Sequence, residues 1–312
     1  MDLSFYKLRV CDADILLVDD FAAEGKDRDW PAAARELLDR RRGVGAERLA
    51  VLSRAEGSIW LRAYSPDGES ATALFDAALC AARFLLDSGR SGSESVEFRV
   101  PRGGLAVDVL DGAGLGLSLG PPRGLPDGEA LDQEGLASRK SLIEAGGERY
   151  EVLPLCLGRS GAGLGAGAAG RGGEAAGTTD AAGGEAQADG SAAPEGERIE
   201  AVAVFCERGA KAAKMRIGAA RRGAKAPTPL PVRLVSRGEL WAEAPRGKAL
   251  DAAAAAGLAH AAAVAAGYAD SGALVRLRGG ALWVEWTESG GLYAAARPEY
   301  VYRGEFHLGD RS

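Results

Sequence analysis

Cysteine and histidine are scarce in this chain of 312 residues, with four of the first and two of the second. Cys11, Cys80, Cys156 and Cys206 lie far apart, form no C-x-x-C pair, and have only His260 and His307 to join them. That spacing argues against a zinc site and a disulfide framework, and reduced, buried thiols are expected instead. An excess of positive charge is also missing: 38 Lys and Arg against 44 Asp and Glu leave a formal charge of -6. Neither a nucleic-acid backbone nor an anionic membrane is therefore an expected partner. No run reaches the roughly 18 to 20 apolar residues of a membrane span, since the Ala-rich stretch at 252–266 is weakly hydrophobic and contains His260. The first twenty residues carry Arg9, Asp12 and Asp14 within their apolar run and lack a small-residue cleavage site, which excludes a signal peptide and predicts a cytoplasmic protein.

The segment 159–197 is nearly all Gly, Ala, Ser, Thr and acid, with one Leu and no aromatic residue. It cannot bury enough apolar surface to offset the entropy of ordering it, so it is expected to be a disordered insertion. Short β-patterned runs precede it, among them LSFYKLRV, DILLVD, RLAVLS, IWLRAYS, SVEFRV, LAVDVL and LGLSLG. Helical spacing interrupts them at 30–41 and more strongly at 70–89, with Ser70 as the expected N-cap and Gly89 at the C-terminal end. After the insertion the order returns: the strand RIEAVAVFC, a basic helix at 207–223, the strands PVRLVS and ELWAEA, an Ala-rich helix at 251–269, then ALVRLRG, ALWVEW, GLYAAA and YVYRGEFHL. Each half is a meander of strands feeding one long helix, which predicts an α+β fold built on an internal pseudo-repeat. The basic helix is read as a solvated face, with docking to an acidic partner as the alternative.

Three stretches of the first half, in order, resemble the diaminopimelate epimerase family: KLRVCDADILLVD at 7–19, LLDRRRGVGAERLAVL at 37–52 and LRAYSPDGESATALFDAALCAARFL at 61–85. The second half is similar through LCLG at 155–158, PRGKALDAAAAAGLAHAAAVAAG at 245–267 and the closing YVYRGEFHL. The resemblance implies two pseudo-symmetric lobes, each a barrel-like antiparallel sheet around a central helix. It places one lobe at 1–122 and the other at 123–312, with the last strand, about 299–308, returning to the first. It also implies chemistry without a cofactor or a metal, in which one cysteine thiolate takes an α-proton and a second cysteine donates one from the opposite face. Helix N-terminal N–H groups hold the substrate carboxylate. A small amino-acid-like ligand or a protein partner is then expected, and a homodimer is compatible with the family.

This chain departs from the family at those functional positions. The two cysteines fall at Leu74 and Ala254, in Leu74-Phe75-Asp76-Ala77 and Ala254-Ala255-Ala256-Gly257. Substrate-binding positions fall at Ala13, Ser65, Arg246, Gly247 and Gly257, and the family's Gly-Asn-Pro-His turn falls at Gly158-Arg159-Ser160-Gly161. Leucine and alanine exchange no proton, and Leu74 with Phe75 adds bulk where Cys-Gly leaves room. The expectation is a catalytically inactive member, retained as a binding or scaffolding protein. The alternative is a pyridoxal-phosphate-independent amino-acid epimerase or racemase of the lysine and peptidoglycan-precursor type, with Asp76 and Asp251 as substitute proton carriers. Against that alternative, acids in a first helical turn answer the helix dipole, and Asp251 reads as an ordinary N-cap. Cys80, six residues beyond the lost cysteine, reads as packing, and His260 lies too deep in its helix to reach a cleft at the helix start.

Overall fold

The computed structural model describes residues 2–22, 28–71, 74–92, 94–101, 103–124, 132–138, 141–145, 148–157, 199–206, 228–244 and 250–308. The expected insertion at 159–197, the basic helix at 207–223, and Arg246 and Gly247 lie outside these residues.

The first half runs β1 (Asp2–Val10), β2 (Ala13–Asp19), α1 (Trp30–Leu37), β3 (Arg48–Ala55), β4 (Ser58–Tyr64), α2 (Phe75–Asp87), β5 (Ser95–Val100), β6 (Gly103–Val109) and β7 (Leu115–Gly120). A short connection follows, comprising β8 (Pro122–Gly124), α3 (Gln133–Ala137) and β9 (Ser141–Ala145). The second half runs β10 (Glu148–Leu157), β11 (Ile199–Cys206), β12 (Thr228–Ser236), β13 (Glu239–Ala242), α4 (Ala252–Ala265), β14 (Gly272–Leu277), β15 (Gly280–Trp286), β16 (Leu292–Ala296) and β17 (Glu299–His307).

The pairing pattern repeats strand for strand. From β1 to β7 successive pairs are antiparallel, parallel, antiparallel, parallel, antiparallel and antiparallel. From β10 to β16 the same six senses recur in the same order. In each half the long helix fills the crossover between the fourth and fifth strands, as a parallel pair requires. The last strands of the two sets, β7 and β16, pair antiparallel and join the halves. Beyond that junction the chain crosses over twice: β8 pairs with β10 of the second half, and β17 pairs with β1 of the first.

Burial explains why β2 and β3 read as nearly unbroken apolar runs. Ile15, Leu17, Ala50 and Leu52 face the core that holds α2, while Leu16, Val18, Leu49 and Val51 face the opposite side, under α1. A sheet covered on both faces has no use for alternation. Helix α4 goes further: all 14 of its residues are buried, and strands β10 to β16 surround it. A helix hydrophobic all round belongs inside a fold, and its run of methyl side chains lets the strands approach from every side.

Helix ends differ from the sequence expectation. The stretch 70–89 becomes Phe75–Asp87, and Ser70 pairs with Tyr64 as an isolated bridge instead of capping the helix. Gly89 takes φ 66 just past the C-cap Ser88, the left-handed geometry that ends helices at glycine. The stretch 30–41 shortens to Trp30–Leu37, where Asp29 Oδ1 accepts the Ala32 N–H at 2.9 Å. None of the described helices is long and apolar enough to cross a membrane.

Candidate functional site

The N-termini of α2 and α4 meet at the centre of the molecule. Leu74 stands at the N-cap of α2 and offers no side-chain acceptor, so the first N–H groups of that helix need a partner from elsewhere. The partner is Asp251, 176 residues away in the sequence, whose Oδ2 accepts the Phe75 N–H at 2.9 Å and lies 3.4 Å from the Asp76 N. Its other oxygen, Oδ1, accepts the Ala254 N–H at 2.9 Å and caps its own helix. Asp76 returns the arrangement: Oδ2 accepts the Ala252 N–H at 2.7 Å and Oδ1 the Ala253 N–H at 3.1 Å. Each helix is thus capped by a carboxylate carried on the other, and all four carboxylate oxygens are engaged by backbone donors.

Both carboxylates are almost fully removed from solvent, at 1% exposure for Asp76 and 3% for Asp251. Burial, and behind it the charge of Asp251, pushes the Asp76 carboxyl well above the usual range. Burial also raises Asp251, opposed first by Arg48 and then by the backbone N–H groups. Arg48, at the start of β3 and itself 5% exposed, is among the described residues the cation whose field reaches both acids. Sequence inspection gave no reason to single it out, because a lone arginine opening a strand looks like any surface charge. The mutual capping also escaped it, although α2 beginning at an apolar residue was a usable signal that its donors were satisfied from outside.

The remaining positions singled out by sequence are dispersed. Leu74 is 6% exposed and Ala254 is fully buried, and both belong to the same continuous core cluster. Ala13 opens β2 and lines a cavity of about 370 Å³ together with Asp12, Glu47, Leu250, Ala252 and Arg278. Neither Leu74 nor Ala254 lines it. The Ser65 hydroxyl donates to Asp67 Oδ1 at 2.6 Å, holding the turn after β4 rather than facing that cavity. In the same turn Gly68 has φ 81, and a Cβ there would stand 2.4 Å from the Pro31 carbonyl oxygen, so this turn seats directly on α1. Gly257 lies within α4, where a Cβ would meet Leu119 Cδ1 at 2.4 Å, so its smallness makes room for a core leucine. Cys80 is fully buried in the core around α2. His260 is fully buried; its Nε2 lies 3.1 Å from the Asp270 carbonyl oxygen, its Nδ1 has no partner among the described residues, and burial lowers its pKa to about 4. Among the described residues, no cluster of His, Cys, Asp and Glu could hold a metal ion.

What this geometry can do is hold two helices together through buried carboxyl groups. What it leaves little room for is a substrate carboxylate, because Phe75, Asp76, Ala252, Ala253 and Ala254 already direct their N–H groups at the protein's own side chains.

No family model matches the chain. Over 163 residues, 50% of the chain, it is 26% identical to the diaminopimelate epimerase of Pelotomaculum thermopropionicum, covering 58% of that enzyme. It therefore spans little more than half the length of this curated relative. Among solved structures, a phenazine biosynthesis protein of the PhzF family from Bacillus anthracis superposes with a TM-score of 0.60 over 99% of this chain and 100% of that one, at 12% identity. A hydroxyproline epimerase from Agrobacterium vitis, with bound trans-4-hydroxy-L-proline, gives a TM-score of 0.54 over 98% of this chain and 91% of that one, at 11% identity. These two likenesses are of fold. The curated match makes half of the chain similar in sequence to a diaminopimelate epimerase, and the solved structures share its two-lobed α+β fold.

Proposed function

We propose that this chain is a non-catalytic form of the epimerase fold, kept as a folded binding or scaffolding protein. One observation carries the reading: the N–H groups that the family resemblance assigns to a substrate carboxylate are occupied by Asp76 and Asp251. With Leu74 and Ala254 where the resemblance puts two thiols, the site has no proton carrier of the family's kind, and the Phe75, Ala252, Ala253 and Ala254 donors are already engaged. Loss of chemistry and gain of stability then have one cause, because filling an anion hole with a tethered carboxylate removes the need for a ligand. The test is α-proton exchange in deuterated water with diaminopimelate, lysine, proline and glutamate, read by mass spectrometry. No deuterium uptake by a folded sample is expected, and uptake into any one of them would overturn the reading.

A second reading draws on the raised Asp76 carboxyl. A carboxyl group that keeps its proton beside an ionised one is the arrangement by which two acids divide the work of proton transfer. An amino-acid epimerase or racemase using Asp76 and Asp251 would have to open the interface between the two helices to admit its substrate. If so, Asp76→Asn should abolish any exchange the wild type shows; exchange that survives this substitution rules the pair out.

A further inference from the structure

We infer that the half-open cleft lined by β15, β16 and the turn between β6 and β7 binds a small zwitterion bearing a flat apolar group. Strand β15 alternates, burying Leu282, Val284 and Trp286 and turning Trp283 outward. Trp283 remains 46% exposed, and it is the one tryptophan among the exposed large apolar residues. Across the sheet Trp283 pairs with Ala295, which also lines the cleft, so a small side chain stands beside the indole. The cleft encloses about 520 Å³, within the range of small-molecule sites.

Its charges sort into two kinds. Arg9 and Glu299, both in the lining, are committed to each other, with Arg9 Nε donating to Glu299 Oε2 at 2.9 Å. Arg297 and Asp111 also line the cleft, and among the described residues neither forms an ion pair or a hydrogen bond. The Arg297 guanidinium lies against the turn that carries Asp111: a Cβ built on Gly112 would stand 3.2 Å from Arg297 Nη2. Cys11 completes the wall as a neutral thiol, its pKa pushed up to about 12 by burial. Among the described residues the lining thus offers one unpaired cation, one unpaired anion and a half-exposed indole. A carboxylate suits the planar fork of Arg297, an ammonium suits Asp111, and a flat apolar body suits Trp283. Asp76 and Asp251 do not line this cleft, so the assignment does not depend on whether the helix termini are catalytic.

Four probes sharing one phenyl group separate the contacts: L-phenylalanine with both charges, 3-phenylpropionate with the anion alone, phenethylamine with the cation alone, and 2-phenylethanol with neither. Titration of the full chain by calorimetry, with saturation-transfer NMR for weak binding, should rank L-phenylalanine above each singly charged probe by about tenfold, the usual worth of one charged contact. Arg297→Gln should bring L-phenylalanine down to the level of phenethylamine, and Asp111→Asn down to that of 3-phenylpropionate. Trp283→Leu should weaken all four probes, with far-UV circular dichroism showing each variant folded. Absence of binding by any probe, equal binding by all four, or variants that leave the ranking intact would each overturn the assignment.

Discussion

Replacing Asp76 by alanine tests the mutual capping most directly. The substitution leaves the Ala252 and Ala253 N–H groups buried with no acceptor, at the start of a helix no solvent reaches. Each orphaned donor costs about 1 to 3 kcal/mol, hence about 2 to 6 for the two. Part of this is returned, because a buried carboxyl no longer sits in the field of Asp251. A net loss of about 3 kcal/mol at pH 7 is expected, measured as a shift in urea midpoint at constant slope. Asp76→Asn keeps one acceptor oxygen and should lose about half as much. The pH dependence gives an independent check. The folded carboxyl titrates above the unfolded value of 3.8, so its contribution is fully present below 3.8 and is lost as pH rises through the folded pKa. The cost of Asp76→Ala should therefore be larger at pH 4 than at pH 7. A variant within about 0.5 kcal/mol of wild type, the range of an ordinary surface change, would refute the reasoning.

Three further outcomes follow from the same geometry. His260 is held neutral, its pKa lowered from 6.5 to about 4, so its contribution is present above pH 6.5 and is lost as pH falls through 4. Thermal melts should show about 3 kcal/mol of acid destabilisation that disappears in His260→Leu, and an unchanged slope in that variant would contradict it. Gly68→Ala should cost about 2 kcal/mol or more by denaturant unfolding, since φ 81 and the Pro31 carbonyl both oppose a Cβ; a neutral result would mean the turn is free to move off α1. The double variant Leu74→Cys, Ala254→Cys should still exchange no α-protons, because restoring thiols leaves Asp76 and Asp251 on the helix donors. Exchange by that protein would show that the donors are available.

The fold was legible because its signals are local. Alternating strands, turns at glycine and two Ala-rich helices are visible within windows of ten or twenty residues, and their recurrence exposes the repeat. Leu74 and Ala254 were singled out by the family resemblance, and Asp76 and Asp251 by their places at the helix starts. What could not be read was the relation among them. Ser70 looked like a cap because sequence supplies only neighbours as candidates, whereas the acceptor for α2 arrives from residue 251. Arg48 gains its importance from two acids that sequence places 28 and 203 positions away. Gly257 resembled a binding position until the packing of Leu119 against it gave the residue a different purpose.

The two strand exchanges have a consequence for synthesis. The first half leaves the ribosome with β1 lacking one of its neighbours, since that place is filled by Glu299–His307 near the far end of the chain. Until those residues emerge, β1 presents an open edge able to recruit strands from other chains. A nascent chain of this design closes like a clasp, last piece into first, and a stop codon shortly before residue 299 would harm the N-terminal half more than the lobe from which residues are missing.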